Sequence, residues 1–344
     1  MRRDLLLGGG ILSPQGGIYL MTVPVEAEDD EVVICSARRD SATLRLTALT
    51  NLEEIQSIIA LMAPWDTVAE ACAMTPEGEL FFLRPDEAEL QTIPGSGYSR
   101  DDSKGIGRMT TLAQVGVDLV ATGYSGQVYR YSHGRRGWSD ISIPVSPSES
   151  HKPVFYDVIS GRGDALVFGG SALFDMAITP DMEAANDAGD IDALMDLFSE
   201  SEGEDAMSLR LYDGAWRIAD TVGEPGAIVA LLPMNTGTLL FSDTGMIYRS
   251  SDFDAIEEVY RPAQPEGFDD IKIWQGRPLL LSGNTLSVFR EGDLDPFDPP
   301  LPSGETFCLS VSPVGDRILA VFPDHVQLFE AGSWTRLEPE LPEA

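Results

Sequence analysis

Ten carboxylates and no basic side chain crowd residues 181–206, DMEAANDAGDIDALMDLFSESEGEDA. Side chains of that type at that density suit one task above others, meeting a cationic surface. The acids expected to face such a partner are Asp187, Asp190, Asp192, Asp196, Glu200, Glu202, Glu204 and Asp205. Elsewhere the spacings that bond-making chemistry needs are missing. His133, His151 and His325 stand far apart with no His-x-His or HExxH, and Cys35, Cys72 and Cys308 form no CxxC, so a zinc site is not indicated. No GxSxG elbow, P-loop or GxGxxG occurs. Glycoside hydrolysis would need two carboxylates roughly 5–10 Å apart. With 56 acids in the chain, many such pairs arise by accident and carry no signal. The acids of EGDLDPFDPP (291–300) lack the calcium-loop pattern and read as a proline-stiffened connection. We therefore expect no catalytic residues, no metal and no cofactor.

The whole chain is as acidic as its insertion is. Over 344 residues, 56 acids oppose 23 bases, a net charge of −33. A field of that sign repels phosphate backbones and anionic lipid and attracts basic proteins. An odd number of widely spaced cysteines, each among apolar neighbours, points to buried thiols in a reducing compartment. The start, MRRDLLLGGGIL, only faintly imitates a signal peptide, because Asp4 breaks its basic end and three glycines dilute its apolar run. No stretch approaches the ~20 apolar residues of a membrane-spanning helix. The expectation is a cytoplasmic protein, monomeric when free, that binds neither nucleic acid nor membrane.

What must position the acids is a repeat. The segment VYRYSHGRRGWSDIS (128–142) has an alternating strand, a polar turn, and a second strand opened by Trp138. LRLYDGAWRI (209–218) and HVQLFEAGSWTRL (325–337) repeat it, so that Trp138, Trp216 and Trp334 share one context. Trp216 and Trp334 stand 118 residues apart, about three steps of a ~40-residue period, which short strands make the signature of propeller blades. Continuous apolar runs such as DALVFGGS (164–171), GTLLFSDT (237–244) and RPLLLSGN (277–284) precede the hairpins, as strands buried on both faces should. The pattern predicts an all-β fold, one propeller domain over 1–344, with seven blades and six or eight as alternatives. The units fall at roughly 15–55, 66–95, 108–145, 153–222, 226–262, 267–300 and 305–340.

IYRSSDFDAIEEVY (247–260) and VYRYSHGRRGWSDIS resemble degenerate copies of the Asp-box repeat of sialidase-like and photosystem-assembly-factor-like propellers, with Ser250 and Asp252 in the Ser-x-Asp positions. That resemblance implies the fold. In that family the Asp-box hairpins are structural, so it carries no catalytic residue over, and the family's Arg-Ile-Pro motif is absent. Arg84, Arg130, Arg249 and Arg290 recur at equivalent hairpin sites and read as repeat residues.

One blade, the fourth, is too long, since Trp138 and Trp216 stand 78 residues apart. The surplus centres on the acidic insertion 181–206. Within it Ile191, Leu194, Met195 and Phe198 follow the i, i+3, i+4, i+7 pattern of an amphipathic helix over 190–199, capped by Asp190. So short a helix needs something to dock on, either its own propeller or a partner. The loop PGSGYSRDDSKGIGR (94–108), rich in Gly and Ser, reads as mobile. Together these features predict a non-enzymatic, protein-binding propeller that captures a basic partner, in concrete form an immunity or inhibitor protein against a cationic toxin. The alternatives are a generic interaction scaffold and a carboxylate-based propeller hydrolase.

Overall fold

Alternating apolar residues separated by glycine turns leave this chain one economical structure, the antiparallel meander. The computed structural model describes residues 5–24, 32–144, 151–161, 164–174, 206–219, 226–302 and 306–340. The chain begins with β1 (Leu5–Leu12), β2 (Ile18–Pro24), β3 (Val32–Asp40) and β4 (Thr43–Leu52). Next come β5 (Ser57–Ala60), β6 (Ala71–Met74), β7 (Glu79–Arg84) and β8 (Glu87–Thr92). A third meander holds β9 (Met109–Val115), β10 (Asp118–Gly123), β11 (Val128–Ser132) and β12 (Gly137–Asp140). A fourth holds β13 (His151–Ser160), β14 (Leu166–Phe174), β15 (Ala206–Tyr212) and β16 (Trp216–Ile218). Then follow β17 (Ile228–Met234), β18 (Gly237–Ser242), β19 (Ile247–Ser250) and β20 (Glu257–Tyr260). After them run β21 (Asp270–Trp274), β22 (Arg277–Ser282), β23 (Thr285–Arg290) and β24 (Asp293–Pro296). The last are β25 (Ser310–Val314), β26 (Arg317–Val321), β27 (Val326–Glu330) and β28 (Ser333–Glu340).

The first strands of these meanders stand side by side around a central axis, and β1 touches both β5 and β25, so the ring closes. The molecule is an all-β propeller. Two features of the expected fold need correction. Five four-stranded sheets are separate blades, and the other eight strands form one continuous sheet in the order β1-β2-β3-β4-β28-β27-β26-β25. The expected seven separate blades are therefore not what the sheets show. The joint is a parallel pairing of Glu338–Glu340 with Thr43–Arg45. It has no period and no signature residue, so the ~40-residue repeat could not reveal it. The expected helical insertion is the second correction. Among the described residues there is no α-helix, only two single 3₁₀ turns at Trp65–Thr67 and Tyr124–Gly126. Residues 181–205, with the expected helix at 190–199, lie outside the described residues, and Ala206 opens a strand. Fewer than twelve residues of helical periodicity is a weak signal against a chain of strands.

The turn–Trp repeat has a mechanical use. Tyr131 faces Trp138, Tyr212 faces Trp216 and Phe329 faces Trp334 across equivalent hairpins, with ring centroids 5.1–5.4 Å apart. Two of these indoles also reach the preceding blade. Trp216 Nε1 donates to the Ile141 carbonyl at 2.7 Å and Trp334 Nε1 to the Pro299 carbonyl at 3.1 Å. Each ties a last strand to the backbone that leaves the previous one.

Strand β1 is the element the repeat count missed. Its glycines hide it. A Cβ on Gly10 would stand 2.6 Å from the Leu20 side chain and 2.7 Å from the Tyr19 carbonyl, so a bare backbone lets β1 approach β2. The joint between β4 and β28 buries Leu44 and Leu337 completely within a cluster shared with Leu319, Val321 and Val326. We expect Leu337→Ala to lower unfolding free energy in urea by about 2–5 kcal/mol. Leu90→Ala, at a half-exposed site on β8, should stay within about 0.5 kcal/mol.

Candidate functional site

In a meander, alternate strands reverse direction. The starts of first strands and the ends of second and fourth strands therefore share one face of the disc. The acidic insertion is rooted there. β14 and β15 pair as far as Ala172 opposite Ala206, so the chain leaves and re-enters this face at neighbouring positions. The eight predicted partner-binding acids (Asp187, Asp190, Asp192, Asp196, Glu200, Glu202, Glu204 and Asp205) all lie outside the described residues.

The loop expected to be mobile, 94–108, rises from the same face, and it is tied down. Glu77 accepts the backbone N–H groups of Tyr98 (3.2 Å) and Ser99 (3.0 Å), and Tyr129 donates its hydroxyl to the Gly95 carbonyl (2.8 Å). Glycine and serine here serve turns with left-handed backbone, Gly95 and Gly97 at φ +78° and +77°, rather than freedom. The basic residues of this region are neutralised. Arg100 pairs with Asp102 at 2.7 Å, Lys104 with Asp140, and Arg108 with Glu54. Apolar side chains nevertheless stand out of the face. Leu6, Phe307 and Leu309 are exposed at the start of two adjacent first strands, Phe307 by 72%.

Sequence reading missed a second site, on the first strands themselves. Asp157 of β13, Asp270 and Lys272 of β21 form a charged group where the strands line the axis. Lys272 Nζ lies 2.8 Å from Asp270 Oδ1. The ring encloses Lys272, yet 45% of its side chain stays accessible, as a channel wall allows. Burial works against the charge of Lys272, and the adjacent Asp270 and the field of Asp157 overcome it, so its pKa is raised. Asp157 has the opposite balance. Burial pushes its carboxyl up to about 6, against two backbone donors and Lys272, which pull it down.

A local irregularity aims Asp157. A β-bulge between Phe155 and Asp157 puts an extra residue opposite Gly169 and Gly170 of β14. Gly170 has room for no Cβ beside the Val154 carbonyl. Asp157 Oδ1 accepts Val158 N–H at 2.8 Å and Oδ2 accepts Leu231 N–H of β17 at 2.6 Å. Both oxygens are occupied by backbone, the geometry of a tie between blades. The available signal was an acid interrupting an apolar run, VFYDVIS and FDDIKIW.

Two of the three histidines, His133 and His325, are likewise engaged in packing. His325 is buried, stacked on Phe322 at 4.5 Å and within 2.9 Å of Asp324, and His133 meets the edge of Trp65. Among the described residues, no three His, Cys, Asp or Glu side chains converge as metal ligands would, and no helix is long and apolar enough to cross a membrane.

The raised pKa of Asp157 has a definite sign for stability. Its folded value, about 6, lies above the ordinary 3.8. The stabilisation from the protonated carboxyl is complete below pH ~4 and is lost as pH rises through ~6. We expect wild type to lose thermal stability relative to Asp157→Asn between pH 4 and 7.5. A pH-independent difference between the two would show that this carboxyl does not titrate in that window.

No protein-family model matches the chain, and no curated protein matches its sequence. Solved structures match in shape. The WD40 β-propeller domain of Doa1 aligns with a TM-score of 0.61 at 11% identity, over 96% of this chain and 95% of that one. The extracellular domain of a one-component system from B. thetaiotaomicron gives 0.56 at 11% identity, and its match takes in 95% of this chain but only 38% of that one. A chain of the Mitotic Checkpoint Complex gives 0.52 at 13% identity, over 92% and 87%. At such identities the likeness establishes architecture, and the architecture is that of a β-propeller.

Proposed function

We propose that this propeller is a non-enzymatic protein-binding module that captures a basic protein, in the manner of an immunity or inhibitor protein neutralising a cationic toxin. The observation that carries the reading is the charge distribution. A chain with net charge −33 carries ten acids without a base in the segment between β14 and β15, and the bases of the described loop on the face where those strands end and begin are paired with acids. The same face exposes Leu6, Phe307 and Leu309. Such a surface steers a cationic partner and offers an apolar centre for it to desolvate.

The coarser form of the proposal is an interaction scaffold. It draws support from the shape matches to a WD40 domain and to a chain of a multi-protein complex. Kinship with Asp-box propellers belongs to the proposal too. The Ser250 hydroxyl accepts Phe253 N–H (2.8 Å) and donates to the Ala255 carbonyl (2.7 Å), closing the turn in which the resemblance lies. A cytoplasmic location fits three buried, unpaired thiols, Cys35, Cys72 and Cys308. The hydrolase alternative would require a free carboxylate of shifted pKa. Asp157 has the shift, but both its oxygens already accept backbone N–H groups.

The test is a pull-down with the tagged protein at ~50 and ~500 mM salt, beside a version lacking residues 182–205. Screening should weaken capture of a basic protein at least about tenfold at the higher salt. Deletion should weaken it comparably while the circular dichroism of the β-sheet stays unchanged. Capture indifferent to salt would sink the electrostatic reading, and capture indifferent to the deletion would remove the insertion from it.

A further inference from the structure

Four arginines occupy equivalent positions late in third strands, and three of them have a carboxylate partner. Arg84 pairs with Glu87 at 3.1 Å, Arg130 with Asp118 at 2.7 Å and Arg290 with Asp295 at 3.3 Å. Arg249, on β19, has none, and its Nε is buried without a hydrogen-bond partner among the described residues. In a chain where acids outnumber bases 56 to 23, an unpaired, half-buried guanidinium is the exception. A buried donor left unmatched is destabilising, so its retention calls for an acceptor from outside the fold.

Arg249 lines a cleft of about 720 Å³ between the β17–β20 and β21–β24 blades. That volume suits a small organic molecule. Arg277, at the start of β22, and Arg290 line it with Arg249, and Arg277 makes no ion pair among the described residues. The floor is apolar, from Leu239, Phe289, Met234 and Pro278. Glu291 and Asp293 complete the polar wall and Asp295 holds Arg290 in place. The cleft sits where first strands end and second strands begin, on the face opposite the acidic insertion, so it is independent of the capture surface.

We propose that this cleft binds a small hydroxylated oxyanion, a sugar phosphate or a hydroxycarboxylate. Guanidinium groups present forked donors that fit phosphate or carboxylate oxygens. The acids beside them accept from ligand hydroxyls and repel extended polyanions such as nucleic acid. The apolar floor covers the carbon skeleton.

Isothermal titration calorimetry of the full chain with inorganic phosphate, citrate and glucose 6-phosphate tests the assignment. We expect saturable binding of at least one probe at one site per chain. Preference for glucose 6-phosphate over citrate marks a phosphorylated ligand, and the reverse marks a carboxylate. Either Arg249→Gln or Arg277→Gln should weaken binding at least about tenfold, the loss of a charge-assisted contact. Arg277 is exposed, so its variant leaves the fold intact and keeps the test valid if Arg249→Gln destabilises the blade. Arg84→Gln, the equivalent arginine of another blade, should change nothing. No saturable binding of any probe overturns the proposal, as does an Arg84→Gln loss equal to that of Arg277→Gln, which would reduce the effect to general charge.

Discussion

A propeller is held together at its axis, where first strands of neighbouring sheets meet edge to face and cannot share a hydrogen-bond ladder. Short polar side chains bridge that gap here. Ser57 of β5 accepts Leu112 N–H of β9, and Thr111 of β9 donates to the Tyr156 carbonyl of β13. Asp157 of β13 accepts Leu231 N–H of β17, and Asp270 of β21 accepts Val311 N–H of β25. Ser312 of β25 accepts Leu12 N–H of β1 and so carries the device across the closure. Each bond contributes only ~0.5–1.5 kcal/mol net. Their larger effect is on satisfaction, because a first strand pressed between two neighbours would otherwise bury unpaired backbone groups.

The device has two gaps. Among the described residues, no hydrogen bond joins β1 to β5, and none joins β17 to β21. At the β17–β21 seam the first strand AIVALLP offers no short polar side chain to make one, and apolar contacts through Ala230, Leu232, Phe241 and Leu280 hold that seam instead. Dispersion and burial are indifferent to direction, so an apolar seam tolerates small rotations that a hydrogen-bonded one resists. The cleft with three arginines opens at one end of this seam. An adaptable wall and an unmatched guanidinium thus fall at the same place.

Much of this architecture is written in the chain, but unevenly. Strands with an alternating or continuous apolar pattern and a turn–Trp context, such as 209–218 and 325–337, declare themselves because pattern and local chemistry agree. β1 does not, since the close approach of Gly10 to β2 removes the side chains on which a pattern depends. The β4–β28 joint does not, since parallel pairing of two outer strands is decided by where the ring brings its ends. Asp157 and Lys272 lie on separate meanders more than 100 residues apart in the chain, and only ring closure brings their charges into one field. The loop 94–108 shows the opposite error. Its glycines signal flexibility by composition, while Glu77, twenty residues upstream, supplies the acceptors that pin it.

Charge is the remaining constraint. A net −33 strains any compact state by self-repulsion, and this chain has few bases with which to relieve it. Several of those bases are placed between sheets rather than within them. Arg38 reaches Asp86, Arg108 reaches Glu54 and Arg217 reaches Asp254, while Arg39 reaches Glu330 across the β4–β28 joint of the continuous sheet. Exposed pairs of this kind contribute at most about 1 kcal/mol each, too little to explain the arrangement by stability alone. Their more consequential effect is on the field. Pairing the scarce cations along the seams leaves the acids elsewhere uncompensated, and it leaves Arg249 and Arg277 as cations whose charge no neighbouring blade consumes. The same allocation leaves acids in excess over the chain as a whole and, in the cleft, sets three guanidinium groups beside three carboxylates, an array of donors and acceptors with no net positive charge.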